Sequence, residues 1–260
     1  MPLTSYTSLS HEADHHTSEE EVEVGSTSVA KSEFLATVSH ELRTPLTSIK
    51  GSIGLLKGLM SKNTSGDMSD LLDIADRNSD VLLALINDLL DFENIVSGTM
   101  ELNTEILEIA ELTQKVIDAN LEFAETHSVN FVTTTIDKPA WAHVDKHRFE
   151  QILRHLLSNA AKFSAPGKDI EISVMRKDVM VRISVRDYGI GISDEHKDVV
   201  FGRFTQIDSS DTRNASGTGL GLAISKALIE KMGGEIGFIS EVDNGSTFFI
   251  DIPHAHSQSA

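Results

Sequence analysis

Ser39-His40-Glu41-Leu42-Arg43-Thr44-Pro45-Leu46 lies in the middle of a heptad run of apolar residues. Leu35, Leu42, Ile49 and Leu56 fall seven apart, Val38 and Leu59 extend a second line, and Leu46, Ile53 and Met60 lie beside it. With Leu35 at position a, His40 falls at f, opposite the apolar seam. A histidine kept for packing would sit on the seam. This one faces solvent, and the acid that follows it can orient its ring or take its proton. The spacing predicts a helix from about Val29 to Met60, roughly 45 Å long at 1.5 Å per residue. Pro45 lacks a backbone donor and should bend it within a turn or two of His40.

Ser61 to Gly66 is turn-like, and a second helix is expected from there to about Val96. Leu71, Ala75, Leu82, Leu85, Leu89, Phe92 and Val96 line one face of it, with Asn78 as a polar entry able to set register. Two long helices joined by a short loop form a hairpin, which buries little alone. The fold expected for 28–97 is therefore an α-helical hairpin that doubles into a dimeric four-helix bundle. After Ser97-Gly98 the pattern changes. Helices are expected near 108–127, 146–163 and 218–232. Strands are expected near 129–135, 141–144, 168–176 and 179–187, with a closing hairpin at 235–241 and 246–252 turned by Asp243-Asn244-Gly245. A long loop covers 192–216. Helices on one side of a mainly antiparallel sheet make a two-layer α/β sandwich over 101–253, followed by a tail at 254–260.

The composition limits the function. A 260-residue chain that is 40% hydrophobic can build a core, and its formal charge of -18 disfavours nucleic acid and anionic membranes as partners. Cysteine is absent, which excludes disulfides and thiol chemistry. No apolar run reaches the ~20 residues that a bilayer span needs, and no secretion signal is recognisable, so a soluble cytoplasmic protein without membrane insertion is expected. Residues 1–27 are acidic without Lys or Arg, and read as a disordered tail. Its His11, His15 and His16 read as solvated side chains, since no other ligand cluster accompanies them.

Three clusters in the second domain suit a nucleotide, each with an ordinary alternative. Asp187-Tyr188-Gly189-Ile190-Gly191-Ile192 ends a strand; it is either a tight turn or a carboxylate set to accept a hydrogen bond from a ligand amine. Gly217-Thr218-Gly219-Leu220-Gly221-Leu222 opens a helix; it is either close packing or a set of free N–H groups for phosphate. His155, Asn159 and Lys162 share one face of the 146–163 helix. They make either a solvated stripe or a hard oxygen for Mg²⁺ beside a cation for phosphate. The glycines match neither a Rossmann fingerprint, which needs a leading strand and a following acid, nor a P-loop, which ends Gly-Lys-Ser/Thr.

Taken together, the sequence resembles the sensor histidine kinases of two-component systems. Ser-His40-Glu-Leu-Arg-Thr-Pro-Leu resembles the family's phosphoacceptor box. Asn159-Ala-Ala-Lys162-Phe163 resembles its asparagine box, the Asp187 and Gly217 clusters its glycine boxes, and Phe201-Gly-Arg203-Phe204 its phenylalanine box. The match runs in family order over about 30–252. It implies a dimerisation and histidine-phosphotransfer domain followed by a GHKL (Bergerat) ATPase domain, related in fold to gyrase and Hsp90. It also implies ATP and Mg²⁺ as cofactors and a response-regulator receiver domain as partner. By position, Asp187 should hold the adenine amine within the Gly189 and Gly191 turn, and Asn159 should coordinate Mg²⁺. Lys162, Arg203 and Arg213 are phosphate candidates, Gly217, Gly219, Leu220 and Gly221 carry a lid, and Phe204 anchors it. His40 would attack the γ-phosphorus with Glu41 as proton acceptor or polariser. Thr44, one turn below on the same face, would position water for a phosphatase reaction on the regulator.

Two departures stand out. The family usually has Asn where this chain has His155, although a His also occurs there in its chemotaxis branch; His155 can contact phosphate and add pH sensitivity, or simply occupy a helix face. No sensor segment precedes the hairpin, so either this is the core of a longer protein or the signal comes from a separate partner. A non-catalytic phosphotransfer scaffold is the rival reading; it would have lost Asn159, Asp187 or the lid glycines, which are all present.

Overall fold

The computed structural model of the chain describes residues 42–56, 66–203, 205 and 219–255. The chain divides into two compact units, Met1–Leu82 and Leu83–Ala260. In the first, residues 42–56 form helix α1, helical through Pro45. The bend expected near His40 lies outside the described residues. Leu42 and Ile49 are half-buried and Leu56 is buried, as the seam predicts, but Leu46 and Ile53 beside it are exposed. Helix α2 (Gly66–Val96) begins in this unit and ends in the next. Asn78 donates to the Ile74 carbonyl (2.6 Å), so its amide is spent on its own helix.

Gly98, at φ 72°, closes α2, and the N–H groups of Thr99 and Met100 both return to the Asn94 carbonyl (3.0 and 3.1 Å). Strand β1 (Thr104–Glu108) follows, then helices α3 (Ile109–Ala119) and α4 (Leu121–Thr126). Next come β2 (Asn130–Ile136), β3 (Trp141–Asp145) and helix α5 (Lys146–Phe163). The rest is β4 (Asp169–Lys177), β5 (Met180–Arg186), a short α6 (Asp194–Lys197), α7 (Gly221–Lys231), β6 (Glu235–Ser240) and β7 (Ser246–Pro253). A five-stranded sheet runs in the order β2-β4-β5-β7-β6, and β1 pairs with β3 in a separate two-stranded sheet. The sheet is mainly antiparallel, as expected, except that β2 runs parallel to β4.

Alternation makes the core. Val174 faces Ile183, Ile172 faces Val185, and Ile183 and Val185 face Ile250 and Phe248 across the next pair. All of these side chains are buried. Helix α5 supplies the opposing layer through Phe149, Ile152, Leu153, Leu156, Leu157, Ala160 and Ala161, a continuous i, i+3, i+4 stripe. Each of its large side chains contributes roughly 1.5–3 kcal/mol on burial, well above what an exposed ion pair supplies. The core, not the ion pairs, sets how α5 is rotated.

The structure departs from the sequence expectation in four places. The helix expected at 108–127 is two, divided at Asn120, whose side chain donates to the Val116 carbonyl (2.7 Å). Strand β1 was missed, because five residues alternating weakly and paired on one side carry little signal. The helix expected from 218 begins at Gly221, and α6 interrupts the 192–216 loop.

One buried side chain joins β1, β3 and α5. Asp145 accepts from the Arg148 N–H (3.1 Å) as N-cap of α5, and from the Asn103 N–H (2.8 Å) at the entry to β1. Asp145→Ala removes the cap and leaves two N–H groups unpaired. It should cost about 2 kcal/mol in a urea melt; a loss under about 0.5 kcal/mol would show the junction is held otherwise.

Candidate active site

The buried stripe of α5 turns His155, Asn159 and Lys162 to its other side, where all three are half-buried. The helix ends at Phe163 because Pro166 follows closely. At that end Ser164 bridges Gly189, and Ser164 Oγ accepts from the Tyr188 N–H at 3.3 Å. Nearer its middle, the His155 ring packs on Gly221, where a Cβ would stand 3.4 Å from the ring, and its Nδ1 lies 3.2 Å from Ser225 Oγ on α7. One helix therefore touches both the Asp187 loop and the start of α7.

Asp187 follows β5 and is only 5% exposed. Its Oδ1 accepts from the N–H groups of Gly189 (3.0 Å) and Ser246 (3.2 Å), and no described residue donates to Oδ2. Burial pushes its pKa up; the Gly189 and Ser246 N–H groups and the Arg186 charge pull the other way.

The loop is braced by the β6–β7 hairpin. The Asp243 N–H donates to the Ile190 carbonyl (2.8 Å), the Ile192 N–H to Ser240 Oγ (2.8 Å), and Ser240 and Ser246 share a hydroxyl bond (2.8 Å). Side chains have no room between these segments. A Cβ on Gly189 would overlap the Phe163 carbonyl, one on Gly191 (φ 67°) the Glu241 carbonyl, and one on Gly245 (φ 80°) the Asp187 carbonyl. Ser240, Gly245 and Ser246 were missed as site residues: Asp-Asn-Gly reads as a hairpin turn whatever it leans on.

The remaining candidates are dispersed. Arg203 is exposed, with its guanidinium 5.5 Å from the centre of the Phe92 ring on α2. Leu220 is fully buried, so it can offer a ligand only its backbone. Gly219 lies in the chain just before α7, and Thr44 is exposed on α1. His40, Glu41, Phe204, Arg213 and Gly217 lie outside the described residues. Phe201 packs edge-on against Phe238 and Phe248 (5.8 and 6.4 Å between ring centres), which anchors the loop that precedes Phe204.

Residues 30–98 match the family described as His Kinase A (phospho-acceptor) domain. Residues 144–256 match the histidine kinase-, DNA gyrase B-, and HSP90-like ATPases. Both matches fall on one chain, in the family's order. The chain belongs to the sensor histidine kinases.

Among its relatives, the sensor histidine kinase GacS of Pseudomonas protegens is 39% identical over 227 residues, 85% of this chain and 24% of GacS. The sensor protein SrrB of Staphylococcus aureus is 34% identical over 86% of this chain and 38% of SrrB. This chain thus spans well under half of either sensor kinase. Among solved structures, the Acinetobacter baumannii histidine kinase AdeS superposes with a TM-score of 0.61 at 27% identity, covering 84% of this chain and 98% of that one. Full-length ShkA in complex with AMPPNP gives 0.64 at 29% identity, over 87% of this chain and 47% of that one.

Two predictions concern the domain that matches the ATPase family. Gly245 and Gly167 share φ 80°, but nothing lies within 4 Å of a Cβ on Gly167. Gly167→Ala should cost about 1 kcal/mol from backbone strain alone, and Gly245→Ala about 2–4 kcal/mol from strain plus overlap with Asp187. Equal losses in urea melts would mean the hairpin does not brace the loop. For Asp187, a raised folded pKa means the folded state holds the proton more tightly than the unfolded one. Stability therefore falls as pH rises from the ordinary value of 3.8 through the raised one, and is flat above it. Asp187→Asn should melt at or above the wild type at pH 7, with the gap narrowing towards pH 4. A variant that is less stable at pH 7 but equal at pH 4 would show that the ionised carboxylate is net stabilising.

Proposed function

We propose that the chain is an ATP-dependent protein-histidine kinase that phosphorylates His40 and passes the phosphoryl group to an Asp of a response-regulator receiver domain. The observation that carries this reading is Asp187: a buried carboxylate with one oxygen saturated by backbone N–H groups and the other without a described donor, at the end of a strand. An acceptor so arranged suits a flat ligand's amine, as in adenine. ShkA, a relative by structure, was solved in complex with AMPPNP.

In this reading Gly189 and Gly191 keep the adenine loop tight. Asn159 and Lys162 address the phosphates, with Arg213 as a further cation; Arg203 would have to leave Phe92 to join them. Gly217, Gly219, Leu220 and Gly221 lead from the lid into α7, and Phe204 anchors it. Among the described residues no group of three or more His, Asp or Glu is arranged for a metal. A magnesium ion held by Asn159 would take its other oxygens from the triphosphate and water, which suits its small, strongly hydrated sphere. Bound there, Mg²⁺ would draw charge from the γ-phosphate.

A His40 ring nitrogen attacks the γ-phosphorus in line; the N–P bond forms, the bond to the β,γ-bridging oxygen breaks, and ADP leaves. Glu41 takes or polarises the proton on the other ring nitrogen. The labile phosphohistidine then gives its phosphoryl group to the receiver carboxylate. Thr44, exposed one turn beyond, suits a water-positioning role in dephosphorylating that partner.

Residues 28–97 would form the dimerisation and phosphotransfer domain and 101–253 the ATP-binding domain. The exposed Leu46 and Ile53 on α1, and Leu83, Ile86 and Leu90 on α2, support a homodimer that covers them. A separate sensor segment or protein would supply the signal. No helix among the described residues is long and apolar enough to cross a membrane.

Incubation with γ-labelled ATP and Mg²⁺ tests the reading. Acid-labile, base-stable label should appear on the wild type and be absent from His40→Ala and Asp187→Asn. Acid-stable label, label persisting in His40→Ala, or nucleotide binding with no label would each contradict kinase activity at His40.

A further inference from the structure

The part of α2 from Leu83 onward belongs to the same compact unit as the sheet domain, and it brings two carboxylates onto α5. Asp91, 8% exposed, accepts from Arg148 Nη1 (2.7 Å) and Gln151 Nε2 (2.8 Å), and Arg148 Nη1 also reaches Gln151 Oε1 (2.9 Å). These bonds fix the first turns of α5 against α2. Asp88, three residues earlier on the same side of α2, places Oδ1 3.4 Å from His155 Nε2. On the other side of the ring, Nδ1 lies 3.2 Å from Ser225 Oγ. The buried Ser225 hydroxyl has one proton, and it goes to the Gly221 carbonyl at 2.7 Å, which can only accept. Nδ1 therefore donates to Ser225, and Nε2 attracts the Asp88 carboxylate when it too carries a proton, in the imidazolium. In that form the ring joins Asp88 on α2 to Ser225 and Gly221 on α7.

We propose that His155 is a positioning residue that couples α2 to the nucleotide site. Asp88 sets the ring, and the ring sets the first turn of α7 at Gly221. A histidine can address a neighbour on each side of its ring, whereas the Asn usual at this position in the family cannot span from a carboxylate on one element to a hydroxyl on another. The departure from the family pattern thus acquires a role: a displacement of α2 that moves Asp88 releases His155, and with it the start of α7. This inference rests on the reading of Asn159, Asp187 and the chain at the start of α7 as an ATP site.

The test is a double-mutant cycle on the full chain, read by titration with a fluorescent, non-hydrolysable ATP analogue and Mg²⁺. Asp88→Asn should change the analogue Kd at least about threefold in the wild-type background and less than about twofold in a His155→Asn background. Ser225→Ala cuts the connection at its other end and should suppress the Asp88→Asn effect in the same way; it serves if His155→Asn unfolds. Equal shifts in all backgrounds, or an Asp88→Asn Kd equal to the wild type, would overturn the coupling while leaving ATP binding intact. A folded wild type that binds no analogue would overturn the ATP reading and the coupling with it. His40 plays no part in this readout, so loss of phosphorylation alone does not disturb it.

Discussion

Burial of one side of α5 is the constraint on which the rest of the sheet domain depends. Phe149, Ile152, Leu153, Leu156 and Leu157 are all within 1% of full burial, so the helix has no freedom to roll. Rotating it by one residue, about 100°, would expose several large apolar side chains, each worth roughly 1.5–3 kcal/mol. That rigidity fixes where His155, Asn159 and Lys162 point. A ligand arriving at them meets a prepared surface.

The Asp187 loop is held by a different device. Backbone lies against backbone at Gly189, Gly191 and Gly245, and four side-chain or main-chain bonds from the hairpin close the gaps. This construction brings a carboxylate into a poorly solvated position, which by itself disfavours the charge. The N–H groups of Gly189, Ser246 and Asp187 itself, with the Arg186 charge, offset part of that cost. A site arranged for stability alone would have used Asn or a hydrophobic residue here. The tension between stability and charge is a mark of function.

How much of this was legible in the sequence follows from the range of the interactions. Strands β4, β5 and β7 and helix α5 were legible, because each buries residues at its own period: Ile170, Ile172, Val174 at two, Phe149 to Ala161 at three and four. The Asp187 and Gly217 clusters were legible as candidates, because close backbone approach demands glycine. Strand β1 was not, since Thr104–Glu108 buries its residues with no clear alternation. The bonds that join elements were invisible as well. Asp88 and His155 are 67 positions apart, Asp187 and Ser246 are 59, and neither pair leaves a periodic trace. His155 was noticed as a departure from a family pattern, but its partners on α2 and α7 could only come from the fold.

Helix α2 illustrates why periodicity alone underdetermines a helix with several neighbours. At 100° per residue, the end from Leu83 to Val96 presents three surfaces. Leu85 and Leu89 are half-buried and Phe92 is buried on the stripe first read as the seam. Leu83, Ile86 and Leu90 form a second stripe, 58%, 40% and 56% exposed. Asp88 and Asp91 occupy the side that meets α5. An apolar stripe this open is a poor surface for an isolated chain, and the proposed dimer would cover it. The acidic side, by contrast, is already engaged within the chain. A helix serving both surfaces cannot rotate to improve one without disturbing the other, which gives the Asp88–His155 contact its leverage: any rearrangement of the proposed dimer that turned α2 would be felt at α5 and at the start of α7.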